Sequence, residues 1–241
     1  MLAALIVEAR KLNRSLALLL AVAAPCLIGT FIFFNMLRGK APMTWEMWLG
    51  SSAGIWAFFM LPMSVTALTA LVAHMEHGPR AWDHLRALPR PRWTLYAAKA
   101  ACVLAVVGAM SLLNLAVTYG AVRAAVAIKP VLEPTGDLAV IQHLTVVGRM
   151  WLAAILLTAI QFWTAMRFSS FVPALAIGIG GTFFSVVATA AKQGVFFPWQ
   201  MPVNMLATEA WRVNTALGLG GGLGALVLIL AVAHLSAREV R

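Results

Sequence analysis

Six windows of about twenty apolar residues, near 16–36, 51–73, 95–121, 147–166, 171–191 and 214–236, leave this 241-residue chain few ways to fold. A helix needs roughly 20 apolar residues to cross the hydrocarbon of a bilayer. In lipid, moreover, every backbone N–H and C=O must find a partner within the spanning structure, which selects helices or a closed barrel. The windows are far longer than barrel strands, so the expectation is an all-α, polytopic membrane protein with six transmembrane helices. Residues 1–241 then form a single transmembrane domain, because no stretch between windows is long enough for a soluble one. The composition, 62% apolar and 11% charged, belongs to the same class.

A net charge of +10 would suggest a nucleic-acid partner in a soluble protein. Here the basic residues sit at the ends of the apolar windows, where they act as topology signals, and no nucleic-acid partner is expected. With the N-terminus placed in the cytoplasm, the inner segments hold Arg10, Lys11, Arg14, Arg80, Arg86, Arg90, Arg92, Arg167, Arg238 and Arg241. The outer loops hold Arg38, Lys40, Arg123, Lys129, Lys192 and Arg212. This bias places both termini inside, and Lys99 and Arg149, near span ends, are expected to snorkel to the interface. The first window is too long for a cleaved signal peptide and lacks a small-residue cleavage site.

Residues 1–14 put Leu2, Leu5, Ile6, Ala9 and Leu12 on one helical face and Glu8, Lys11 and Arg14 on another, the pattern of an elbow helix lying in the inner interface. The first outer loop, 37–50, carries Trp45 and Trp48, interfacial by type. The second, 122–146, contains Lys129-Pro130 and Glu133-Pro134-Thr135-Gly136, which interrupt any continuous helix. Gln193–Pro202 is too apolar for a solvated loop and too broken for a span, so a re-entrant or interfacial element is expected before the sixth span. Its Phe197, Pro198 and Trp199 form an outer cap that either gates an exit or sits in the interface. Gly178, Gly180 and Gly181, and Gly218 to Gly224, include pairs four apart that permit close helix approach, within the chain or in a dimer. Cys26 and Cys102 lie at different depths, have no metal-ligand company and are read as apolar filler.

The strongest chemical signal is the charged island Glu76–Arg92, set between two spans. It carries Arg80, Arg86, Arg90 and Arg92, the acids Glu76 and Asp83, and the apolar Trp82 and Leu85 on what reads as one short amphipathic helix ending at Pro89. No G-x-x-x-x-G-K-[S/T] occurs, so the glycine run at 218–224 lacks the lysine and hydroxyl that hold phosphate and magnesium. Gly50-Ser-Ser-Ala-Gly54 matches G-x-S-x-G in letters, but it opens a membrane helix instead of a strand-to-helix turn. His143, with Asp137 or Glu133, lies on the same side as Ser52, whereas His234 lies a membrane thickness away. His74, Glu76, His77, Asp83 and His84 have no specific metal-ligand spacing, and a solvated surface explains them as well, so no metal site is assigned. All eight acids fall in loops or at span ends, which argues against a pump driven through buried carboxylates.

Glu8-x-x-Lys11-x-x-Arg14-Ser15, Pro25 within the first span, and Glu76-x-Gly78-x-x-x-Trp82-x-x-Leu85-x-x-Leu88-Pro89-x-x-Arg92-x-x-Leu95-Tyr96-x-x-Lys99 resemble the permease subunits of type-2 ABC exporters. Within that group the chain is most similar to the lantibiotic-immunity and bacitracin-resistance permeases, which also carry an aromatic before Pro-Trp, as at Phe197-Pro198-Trp199. The resemblance covers essentially the whole chain. It implies a cytoplasmic coupling helix between spans 2 and 3, seated on a separate ABC ATPase present in two copies, which binds the ATP and Mg that this chain does not. The ATPase-coupling residues would be Glu76, Gly78, Arg80, Trp82, Asp83, Leu85, Arg86, Pro89 and Arg92, with Trp82 and Leu85 as apolar anchors. Glu8 and Lys11 would make a secondary cytoplasmic contact. A second permease chain, identical or a sibling, would complete the path, in a bacterial plasma membrane whose lipid is the remaining partner.

The spans offer few polar groups, chiefly Asn114, Thr118, Thr158, Gln161 and Ser185, which favours an apolar or amphipathic cargo. The resemblance favours a membrane-active peptide antibiotic; lipids, haem-like groups and small drugs are the other classes. The competing class is a self-contained membrane enzyme, an outer-face serine hydrolase built on Ser52, or a membrane scaffold.

Overall fold

The computed structural model describes residues 2–13, 15–77, 91–189 and 191–237, and they are helical almost throughout. Helix α1 (Leu2–Leu12) leads into α2 (Leu16–Arg38), whose N-cap Ser15 accepts a hydrogen bond from the Leu18 N–H at 3.3 Å. Helix α3 (Trp45–Ile55) starts on the N-cap Thr44 and continues through a π turn (Trp56–Met60) into α4 (Leu61–His77). The widened turn precedes Pro62, which lacks an N–H and would crowd the carbonyl one turn back. Helix α5 (Arg92–Ile128) is followed by α6 (Val140–Ala153) and α7 (Ile155–Arg167), which are joined through Ala154. After α8 (Val172–Ala188) come two 3-10 turns, Lys192–Phe196 and Val203–Leu206. Helix α9 (Ala210–Leu217), a π turn (Gly218–Leu223) and α10 (Gly224–Ala237) complete the described residues. Among the described residues the only β pairing is an isolated bridge between Thr44 and Thr135.

Among the described residues five helical stretches are long and apolar enough to cross a membrane: Leu16–Arg38, Trp45–His77, Arg92–Ile128, Val140–Arg167 and Ala210–Ala237. The expected fifth of six spans, 171–191, is instead the 17-residue helix α8, about 26 Å long at 1.5 Å per residue and short of a hydrocarbon core of about 30 Å. Beyond it the Gln200 amide donates to the Ser185 carbonyl and the Thr189 hydroxyl, tying the end of α8 to the following turns. Val195, Trp199 and Met201 bury their side chains there while Phe196 is exposed, so much of the apolar character of 193–202 belongs to packing inside the chain.

The second span also begins earlier than its hydropathy window. The loop expected at 37–50 shrinks to 39–44, and Trp45 and Trp48 are buried at 7% and 6% exposure rather than anchored in an interface. Trp45 stacks on Tyr119 of α5 at 5.5 Å. The bundle is organised around α4, where Leu61, Val65 and Leu68 are fully buried and which packs against α2, α5, α7 and α8. Gly220 and Gly224 bring the last span against the backbone of α6 and α7, where a Cβ would overlap Ala153 and Leu156. Gly180, Gly218 and Gly222 face open space. Phe31, Phe34, Ile229 and Leu230 are exposed, as expected of lipid-facing surface.

Candidate functional site

Helix α1 turns its charged side inward. Leu2, Ile6 and Val7 are exposed while Glu8 is buried, the reverse of a helix on a water-facing surface. The burial is possible because Lys99, near the start of α5, reaches Glu8 Oε2 with its Nζ at 2.7 Å and Glu76 Oε1, at the end of α4, at 2.5 Å. Lys11 closes the cluster, with Nζ 2.7 Å from Glu76 Oε1 and 3.1 Å from Glu8 Oε1. Two carboxylates and two ammonium groups sum to zero charge, which is what makes burial of Lys99 (1% exposed) and Glu76 (2%) tolerable. Lys99 therefore does not snorkel; its partners come to it. Burial alone would lower the pKa of Lys11, but the Glu76 and Glu8 carboxylates hold it above its ordinary 10.5.

This cluster ties together α1, the last turn of α4 and the first turns of α5, the elements flanking segment 78–90. Of the proposed coupling residues, Glu76 is committed to Lys99 and Lys11, and Arg92 is exposed at the first position of α5. Gly78, Arg80, Trp82, Asp83, Leu85, Arg86 and Pro89 lie outside the described residues. Glu8 is buried in the cluster, while Lys11 is partly exposed. The Phe197 ring stacks on Trp199 at 5.2 Å, beside Phe184, and Trp199 packs against Gly181. The convergence of Glu8, Glu76 and Lys99 was missed by sequence reasoning. Its signals were the joint presence of Glu8, Glu76 and Lys99 in the quoted motif and a lysine in the early turns of an apolar helix with no acid within a turn of it.

A second polar group lies towards the other end of α5. Asn114 Nδ2 donates to Ser52 Oγ at 3.1 Å, and Thr118 Oγ1 donates to the Asn114 carbonyl at 2.7 Å. The Ser52 proton is thereby directed to Thr118 Oγ1, 2.6 Å away. His143 Nδ1 lies 3.1 Å from the Ala139 carbonyl of its own helix. Ser52 and His143 line one recess without being assembled as nucleophile and base. Among the described residues no group of three or more His, Cys, Asp or Glu side chains is placed to hold a metal.

The fold, the buried charge cluster and the apolar surface describe a membrane protein whose buried ion pairs sit on the helices that precede and follow a charged segment in the sequence. A family model described as ABC-2 family transporter protein matches residues 4–186. The chain belongs to this family. As an ABC-2 family protein it is a multi-pass membrane permease component of an ABC transporter, a transport subunit with ATPase activity on a separate partner chain. The match takes in Glu8, Lys11, Glu76, the 78–90 segment and Lys99, and ends before α9 and α10. No curated protein and no solved structure matches this ABC-2 permease.

Proposed function

We infer that this permease is driven by a cytoplasmic ABC ATPase docked on the 76–92 loop and exports an apolar or amphipathic substrate, with a membrane-active peptide antibiotic as the favoured cargo. The observation that carries the reading is the buried cluster of Glu8, Lys11, Glu76 and Lys99. It fixes both flanks of the loop and the N-terminal helix to one another, so a displacement of the loop by ATPase closure moves α1, α4 and α5 together as a rigid group. Trp82 and Leu85 are the apolar anchors of a coupling helix, with Arg80, Asp83 and Arg86 around them. Both termini and the loop face the cytoplasm of a bacterium, α1 is the elbow helix, and α8 with the turns that follow closes the outer side as a sixth membrane element. Two permease chains, identical or siblings, and two ATPase copies complete the transporter, in the manner of the lantibiotic-immunity and bacitracin-resistance permeases.

The test is functional. Cells carrying the permease with its ATPase should tolerate a membrane-active cationic peptide, and Trp82→Ala with Leu85→Ala should abolish that tolerance while the protein remains in the membrane. Unchanged tolerance in the double mutant would refute docking through this helix, and tolerance indistinguishable from empty cells would refute the peptide cargo.

A further inference from the structure

Along one side of the bundle, α5 and α6 part to leave two open apolar grooves that share Leu112 and Leu144. One, of about 430 Å³, runs past Leu115, Tyr119 and Leu138; the other, of about 410 Å³, runs past Leu104, Gly108 and Trp151. Between Leu104 and Tyr119 the wall extends about 22 Å along α5 at the helical rise. Where the first groove passes Leu49, Leu115 and His143 it adjoins a smaller recess of about 110 Å³, lined also by Glu46, Ser52, Asn114 and Gln142.

The hydrogen-bond groups of the recess are weighted toward acceptors, with the Gln142 amide as both donor and acceptor at its rim. The Ser52 and Thr118 protons are both spent within the relay from Asn114 Nδ2 to the Asn114 carbonyl. Asn114, 3% exposed, keeps a buried Oδ1 that accepts from nothing. In the neutral imidazole, donation from His143 Nδ1 to Ala139 leaves Nε2 as an acceptor, and Glu46 adds a carboxylate at an exposed position. An unpaired buried acceptor is costly and calls for a donor. Asn114 Oδ1, His143 Nε2 and the Glu46 carboxylate, as acceptors, outnumber the Gln142 amide as donor, and the Glu46 charge favours a donor that is positively charged. With Arg92 at the inner boundary of the membrane, Asn114, 22 residues further on, lies about 33 Å along α5, roughly one hydrocarbon thickness and so a depth suited to a head group. The groove past Leu104 runs back from it toward the middle of the membrane.

We propose that the Glu46–Asn114–His143 recess and the α5–α6 groove form a binding site for a cationic amphiphile, an alkylammonium whose head donates into the recess and whose tail lies along Leu112 and Leu144. The site names the cargo-binding surface for the export reading and rests on it for transport, though not for binding. The bound molecule enters from the leaflet opposite the 78–90 loop, head at the interface, and needs no aqueous path.

The experiment uses the full chain in zwitterionic nanodiscs with three photoactivatable probes of equal length: dodecylammonium, dodecanol and dodecanoate. Labelled peptides are identified by mass spectrometry. Dodecylammonium should label 104–119 and 140–151 and be displaced by its unlabelled form, with dodecanol weaker and dodecanoate absent. Glu46→Gln should weaken the ammonium signal about fivefold and leave the alcohol unchanged. Leu144→Trp, also at an exposed position, should remove both by filling the groove. Asn114→Leu should weaken both, and the two exposed variants carry the test if that buried change prevents folding. Equal labelling by all three probes, or labelling spread over α2 and α10 and indifferent to Leu144→Trp, would overturn the site and leave ordinary lipid contact. Specific labelling in a chain that binds no ATPase would preserve the site and refute the transport reading.

Discussion

Replacing Lys99 with methionine removes one charge from a buried group of four and should be among the most damaging single changes in the protein. Lys99 Nζ lies 2.7 Å from Glu8 and 2.5 Å from Glu76. At an effective dielectric near 20, a pairing at such a distance is worth about 6 kcal/mol before desolvation is counted. Desolvation of the ions offsets most of that gross attraction. What the mutation exposes is the cost of leaving two buried carboxylates with Lys11 as their one remaining counter-ion among the described residues, about 3–5 kcal/mol. Methionine fills nearly the volume of the lysine stem, so the loss is electrostatic rather than a cavity effect. Unfolding in mixed micelles of rising SDS fraction, followed by tryptophan fluorescence, measures it. Adding Glu8→Gln to Lys99→Met restores neutrality and should recover part of the loss, with a coupling of about 1.5–3 kcal/mol between the two sites. A loss under about 1 kcal/mol with additive double mutants would refute the argument, because it would mean that the ammonium reaches water.

Gly220→Ala should destabilise by about 1–3 kcal/mol, because its new methyl meets the Ala153 backbone, while Gly222→Ala, in open space, should be neutral or stabilising; thermal unfolding of the two variants separates them. Lys11 has a folded pKa raised above 10.5, so its stabilisation is fully present below the unfolded value and fades only as pH rises through the folded one. The stability difference between wild type and Lys11→Met should therefore be constant from about pH 6 to 9 and shrink above 10.5, and a change near neutrality would contradict the assignment.

Much of the fold was legible because membrane burial is written in local hydropathy. The windows at 16–36 and 95–121 fall inside α2 and α5, and the breaks at Lys129-Pro130 and Pro134-Thr135-Gly136 fall between α5 and α6, where a single 3-10 turn (Pro130–Leu132) intervenes. Errors arose where a helix end depends on capping or on packing. Thr44 accepts from the Met47 N–H and Glu46 occupies the first turn, a start signal that pulls Trp45 and Trp48 out of the expected loop. The window at 171–191 runs past the end of α8 because the residues after Ala188 are still small or apolar in sequence, whereas the helix ends where Gln200 ties Ser185 and Thr189 to the following turns. The charge cluster was legible only as a motif. Glu8, Glu76 and Lys99 could be quoted together, but Lys99 and Glu8 stand 91 positions apart and local pattern carries no contact between them. The recess was partly legible, since Asn114 and Thr118 stood out as intramembrane polar groups, while their relay with Ser52 required the α3–α5 packing.

The most direct measurement is affinity purification of the tagged permease in mild detergent, with mass spectrometry of the eluate and an ATPase assay on it. The account predicts an ATP-binding-cassette protein in near-equal amount, with both the partner and the hydrolysis lost in Trp82→Ala/Leu85→Ala. Recovery of the folded permease without an ATPase, or of an ATPase that the double mutant still holds with full hydrolysis, would contradict it.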